Sequence, residues 1–207
     1  MRAPSVVRVV LCALAAEAAH LVALRPRLLR WGATEAEIAR RLPGDELVAA
    51  AHTVSTRAVG IDAPPSDVWP WLVQMGDGRG GLYSYDALNR LFGYTSGPSA
   101  TTVLAEHQGL AVGDVIPLGR GPDWPVAILE LERSLVLEPV PGEVSWCFAL
   151  EPRGAGTRLV SRVRVGVGPP WALRALGPVV DLPWFAMERR MLRGVATRAE
   201  GLARERR

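Results

Sequence analysis

Two stretches in the second half of the chain alternate apolar and polar residues with a period of two, and a long amphipathic segment follows them. In residues 143–150 the alternation puts Val144, Trp146, Phe148 and Leu150 on one side. In residues 157–167 it puts Leu159, Ser161, Val163 and Val165 on one side and Arg158, Arg162 and Arg164 on the other. Successive side chains of a strand point to opposite faces, so this pattern predicts antiparallel strands with one buried face and one wet face. Such a sheet must cover its apolar face. Residues 184–207 have the length and the stripe to do so, with Trp184, Met187, Met191, Val195, Ala199 and Leu202 at helical spacing and Arg189, Arg193 and Arg198 opposite.

More strands precede these. Residues 53–61, TVSTRAVGI, are rich in β-branched side chains and free of proline; residues 115–118 form a short strand; residues 126–131 and 135–138 form a hairpin around Glu132, Arg133 and Ser134. Between the first strand and the rest lies residues 62–93, the densest mixture of aromatic, glycine and polar residues in the chain. Pro64 and Pro65 end the strand, and Ser66 and Asp67 open a short helix carrying Trp69, Leu72 and Val73. Pro70 lies beyond the first turn and predicts a bend or a later start. Tyr85, Leu88, Leu91 and Phe92 mark a second short helix ending at Gly93. Residues 94–113 read mostly as loop. Gly168, Pro169 and Pro170 end the sheet, and the helical region after them is expected to break at Gly177-Pro178 and near Pro183. The fold class predicted is α+β.

Upstream, Thr34 and Glu37 form a capping-box pattern in a connecting element over residues 31–52, which ends at Pro43-Gly44. Residues 5–24 are the most hydrophobic helical candidate, but the uninterrupted apolar run is only Val9 to Ala16, and arginines flank it. A degenerate membrane anchor, a signal peptide and a helix packed on the domain all fit, with membrane association favoured. Localisation follows the same alternatives, cytoplasmic or membrane-associated. The organisation expected is an N-terminal hydrophobic helix (1–30), a linker (31–52) and one domain (53–207).

Composition excludes several functions. All 24 basic residues are arginines, spread along the chain rather than gathered in a block, so no nucleic-acid partner is expected despite a net charge of +3. Cys12 and Cys147 form no disulfide framework or CxxC motif, and His20, His52 and His107 have no metal-ligand spacing. Residues 76–81 contain a literal GxGxxG, but a proline-bearing, tryptophan-rich segment precedes it where a dinucleotide site needs a buried strand. Neither metal nor cofactor is expected, and the glycines are assigned to positive φ angles in a tight loop.

Strand, two short helices, a run of antiparallel strands and a long final helix is the order of a known family. From residue 53 to the C-terminus the chain resembles the START-like, or SRPBCC, superfamily of helix-grip proteins. The motifs that carry the likeness are Ala63-Pro64-Pro65, Val68-Trp69-Pro70-Trp71-Leu72, Gln74-Met75-Gly76, Arg79-Gly80-Gly81, Tyr83-Ser84-Tyr85-Asp86, Phe185-Ala186-Met187-Glu188-Arg189 and Met191-Leu192. The resemblance implies a curved sheet gripping the last helix, with a hydrophobic cavity between them. It implies no single activity, because this superfamily holds enzymes, carriers and sensors on one fold.

Three functions are expected in competition. The first is binding or carriage of a hydrophobic small molecule or lipid, with Gln74, Arg79, Tyr83, Tyr85, Asp86, Trp146, Phe148, Met187 and Met191 as the ligand-binding residues and membrane contact through residues 5–24. The second is a polyketide cyclase- or dehydratase-like enzyme in the same cavity, with Tyr85 and Asp86 as its candidate catalytic residues. The third is a partner-binding module using the arginine face of the last helix.

Overall fold

A computed structural model describes residues 8, 12–15, 19, 23–166 and 177–206, with backbone alone at 177–180. Most of the hydrophobic helix expected over residues 5–24 lies outside these residues, as do Gly168, Pro169 and Pro170. Among the described residues no helix is long and apolar enough to cross a membrane.

Six strands make one antiparallel sheet: β1 (Thr53–Ile61), β2 (Val115–Ile116), β3 (Trp124–Glu130), β4 (Ser134–Val140), β5 (Val144–Arg153) and β6 (Gly156–Val165). Their spatial order is β1-β6-β5-β4-β3-β2, a meander to which the first strand returns along β6. Bulges between Val126 and Ile128 and between Leu137 and Val140 interrupt the ladders, and such bulges bend and twist a sheet.

Among the described residues, helices α1 (Arg25–Leu29), α2 (Glu35–Ala39), α3 (Pro65–Val73), α4 (Asp86–Phe92) and α5 (Gly177–Glu205) accompany the sheet, with a 3-10 turn at Ala105–His107. The capping box at the start of α2 forms as expected, Thr34 and Glu37 each accepting from the other's backbone N–H. α3 begins at Pro65 and runs through Pro70 without a later start. Burial of Trp69, Trp71, Leu72 and Val73 on its inner side supplies the packing that offsets the missing N–H. The break expected near Pro183 does not occur, for α5 runs unbroken from Gly177 to Glu205; the chain just before Gly177-Pro178, where the other break was expected, lies outside the described residues. The turns after Pro183 are held by buried Met191, Leu192, Val195 and Ala199.

The main core lies between the inner face of the sheet, α3 and α5. It joins Leu135, Leu137, Phe148, Leu150 and Leu159 to Val68 and Leu72 of α3 and to Leu192, Val195 and Ala199 of α5. The expected stripe on α5 is thereby moved toward its C-terminal half. Met191 is buried, Met187 is half-buried, and Trp184 leaves 42% of its surface open.

The outer face of the sheet is not wet. Residues 31–50 cross it and build a second, smaller core in which Leu42 meets Ala58, Val136, Cys147, Ala149 and Val160. The arginines of β6 hold this strap in place. Arg158 pairs with Glu37 and donates to the Gly32 carbonyl. Arg162 donates to Asp45 and to the carbonyls of Glu37, Ile38 and Arg40, and Arg164 to those of Val48 and Ala49. One-sided burial was the wrong expectation for β5 and β6: arginine on alternate positions is also what a strand looks like when its outer face clamps a segment of its own chain.

The strap also meets the edge of the sheet. The Ala58 amide of β1 donates to the Trp31 carbonyl, and Gly32 passes so close that a Cβ would fall 2.2 Å from the Ala58 oxygen.

Candidate functional site

Strand β1 carries Arg57 on the side that faces α5, opposite Ser161 of β6. An arginine on the apolar face of a sheet is costly unless paired. Arg57 pairs with Glu188 of α5, and both side chains are 2% exposed. Around this pair the polar groups close into a chain. Trp146 Nε1 donates to Ser161 Oγ at 2.8 Å, Ser161 donates to Glu188 Oε1 at 2.9 Å, and Arg57 Nε donates to the Leu28 carbonyl at 2.9 Å. Burial pushes the Glu188 carboxyl up, and Arg57, Ser161 and Trp184 all work against that by favouring the carboxylate.

Aromatic rings line one side of this pair. Trp146 stacks on Phe148 at 4.8 Å, meets Trp124 edge-on at 4.9 Å, and reaches Trp184 of α5 at 6.3 Å. Phe185 lies beneath the Arg57 guanidinium at 5.7 Å and meets Trp31 at 6.2 Å, while Arg189 and Arg193 flank the Trp31 ring. Trp124, Trp146 and Phe148 are buried, Trp31 and Phe185 are half-buried, and Trp184 opens to solvent at the edge. Two surface depressions, of about 630 and 580 Å3, lie away from this grip. The first is at the end of β1 and β6 beside Asp62 and Thr157, and the second lies between Arg40–Pro43 of the strap and the β3–β4 turn.

The residues expected to bind ligand fall into two groups. Trp146, Phe148 and Met191 lie in the inner core, with Met187 half-buried on α5. Of the other five, Gln74, Arg79, Tyr83 and Tyr85 belong to the loop after α3, and Asp86 opens α4. Gln74 is fully buried, donates to the Thr102 carbonyl at 3.2 Å and accepts from the Leu104 amide at 2.9 Å. Arg79 donates to the carbonyls of Val73 and Met75, capping the end of α3, and to that of His107. Its loop is pinned by reciprocal Gly76–Gly81 bonds of 3.0 Å, with Gly76, Gly78 and Gly81 at positive φ as expected. Tyr83 is buried with φ 53°, edge-on to Trp71, and has Arg198 over its ring at 4.7 Å. Burial pushes its phenol well above the ordinary tyrosine range. Asp86 accepts from the Ser99 amide and hydroxyl at 3.0 and 2.6 Å, and that same hydroxyl accepts from the Tyr83 amide. Tyr85 is 45% exposed, with Arg190 over its ring at 5.9 Å.

Sequence reasoning missed the Arg57–Glu188 pair. The available signal was an arginine at an inward position of a strand, one residue pair away from Ser55 and Val59 on the same side. Trp124 opens β3 and joins the aromatic run.

No family model matches the chain. No curated protein matches it. Among solved structures, the chain is similar to the Polyketide_cyc-like protein Cgl2372 from Corynebacterium glutamicum, at 18% identity over 73% of this chain and 90% of that one, with a TM-score of 0.35. CalU16 from Micromonospora echinospora matches at 18% identity over 72% and 83%, TM-score 0.34. The KanY protein matches at 14% over 72% and 97%, TM-score 0.43. By its own strand order and helix placement, the chain has an α+β helix-grip fold, a six-stranded antiparallel sheet closed over by one long C-terminal helix.

Proposed function

We propose that the protein binds or carries an apolar small molecule or lipid between the sheet and α5, at the aromatic end of the grip. The observation that carries this reading is the run Trp124–Trp146–Phe148 continuing across to Trp184, a large ring left 42% exposed near the N-terminal end of α5. Ligand sites are mostly apolar surfaces with a few polar groups. Here Arg57, Glu188, Ser161 and the Trp146 indole already satisfy one another, which favours a ligand whose buried part makes few hydrogen bonds. Met187 and Met191 supply flexible side chains able to refit around such a guest.

Cyclase- or dehydratase-like catalysis would need a titratable group free to move a proton. Asp86 is engaged by Ser99, and Tyr85 lies at the surface under Arg190, so binding is the reading favoured.

The test is titration of the purified full-length protein with Nile red and with a series of saturated fatty acids, read by tryptophan quenching and by native mass spectrometry. Saturable uptake is expected, weakened by about tenfold or more in Trp184→Ala, since burying one aromatic side chain contributes about 1.5–3 kcal/mol. Circular dichroism checks that the variant remains folded. No saturable uptake of any of these, or an unchanged affinity in a folded Trp184→Ala, would sink the proposal.

A further inference from the structure

Helix α4 is built inside out. Its apolar residues recur at Leu88, Leu91 and Phe92, in line with Tyr85 just before it, and such a stripe ordinarily faces a core. Here it faces outward, with Leu91 74%, Phe92 52%, Tyr85 45% and Leu88 39% exposed. The side turned inward carries Asn89, fully buried and bonded to the Ser84 hydroxyl in both directions. The helix is therefore held by a polar contact while its apolar stripe stays largely open, touched at its ends by the Tyr94 ring beside Phe92 and by Arg190 over Tyr85. An exposed apolar patch of this kind marks an interaction surface.

Charge identifies the partner. Arg90 is exposed on α4 itself, Arg120 lies over Gly93 at the end of the helix, and Arg190 of α5 sits over the Tyr85 ring. The nearby carboxylates are engaged, Asp86 by Ser99 and Asp77 by the amide and hydroxyl of Ser96. The patch is also an exposed helix face, and neither of the two depressions described above includes it. A small exposed apolar face with three arginines beside it suits a deformable, negatively charged interface better than the rigid surface of a folded protein.

We propose that α4 is the docking element through which this protein settles on an anionic membrane surface, with Leu88, Leu91 and Phe92 entering the interface and Arg90, Arg120 and Arg190 meeting the headgroups. This does not depend on any bound cargo, and it assigns the contact to a different part of the chain from residues 5–24.

Co-sedimentation of the full-length protein with vesicles tests it without reading ligand uptake. Vesicles of phosphatidylcholine containing about a third phosphatidylserine should pellet the protein at ~0.1 M salt and release it as salt rises toward ~1 M, where screening is nearly complete. Pure phosphatidylcholine should pellet much less. Leu91→Asp with Phe92→Asp should lower partitioning by about tenfold or more, because both apolar side chains leave the interface. Arg90→Glu with Arg120→Glu should abolish the preference for phosphatidylserine. The proposal is overturned if anionic vesicles fail to pellet the wild type at low salt. It is equally overturned if the Leu91→Asp, Phe92→Asp variant pellets like wild type, which would place the contact elsewhere, for example at residues 5–24. Sedimentation velocity supplies the third outcome: a dimer that this variant dissolves, with no vesicle binding, would make a second copy of the chain the partner and end the membrane reading.

Discussion

Gly194 of α5 lies against the backbone of Tyr83, so near that a Cβ on Gly194 would fall 2.1 Å from the Tyr83 carbonyl oxygen. The long helix and the loop after α3 can pack this closely because one residue lacks a side chain and the other adopts a left-handed φ. Alanine inside a helix normally stabilises by up to about 1 kcal/mol over glycine. At Gly194 the clash is with backbone that cannot step aside, so Gly194→Ala should cost about 1–3 kcal/mol net. Gly201 of the same helix is the control, since its nearest atom is the end of the Arg204 side chain at 4.0 Å. Thermal melts should show Gly194→Ala falling by several degrees and Gly201→Ala unchanged or higher.

Arg57 and Glu188 are expected to behave as a unit. Arg57→Met alone strands a buried carboxylate and should cost about 3–5 kcal/mol. Adding Glu188→Leu should recover most of that loss, since well-packed apolar side chains can replace a buried pair without penalty. Urea unfolding of the two single variants and the double variant measures the coupling. Additive losses would mean that the two side chains do not depend on each other.

Glu37 gives the fold an acid-side dependence. Its hydrogen bond with Arg158 is the largest influence on it and, with the Thr34 amide, outweighs burial, so the carboxyl is lowered from 4.5 to about 2. A carboxyl depressed in the folded state stabilises fully above its unfolded value and loses that contribution as pH falls through its folded value. The contribution near pH 7 is at most about 3 kcal/mol, fading between pH ~4.5 and ~2. Glu37→Gln should therefore be less stable than wild type near neutrality, with the gap closing at low pH. A gap that stays constant across an acid series of urea melts would refute this.

The two cysteines should differ sharply in reactivity. Cys147 is buried beneath the strap, and burial pushes its thiol up to about 12, while Cys12 is exposed. Native protein should titrate one fast thiol with a disulfide reagent and two in urea. Fast reaction at both sites in the native protein would mean that the strap opens readily. Arg162→Lys, which cannot reproduce the forked contacts of Arg162, should speed the second thiol.

Period two was enough to find β5 and β6 and to choose which side of each faces α5, because the inward positions 144, 146, 148, 150, 159, 163 and 165 are apolar and Ser161 alone among them is not. It could not reveal the strap. Arg158, Arg162 and Arg164 look the same in sequence whether they meet water or Glu37 and Asp45, more than a hundred residues away. The Arg57–Glu188 pair hides for the same reason, with 131 positions between its members. Helix α4 shows the complementary difficulty. Tyr85, Leu88, Leu91 and Phe92 locate it correctly, yet nothing in their spacing says that Asn89 turns inward. Periodicity finds an element and its faces; only the packing of distant segments decides which face is covered.

The strap carries a further consequence for how the protein behaves among copies of itself. An open sheet ends in two edges, and an edge with free amides and carbonyls is a template for strand addition. On one side of this sheet the last strand, β2, is only two residues long. On the other, β1 is met at its middle by Trp31 and Gly32, whose backbone takes the Ala58 amide and crowds its carbonyl. A chain trimmed to residues 53–207 would keep every strand and lose that guard. It would bare the outer face and a nine-residue edge together, which is the combination from which edge-to-edge aggregation starts.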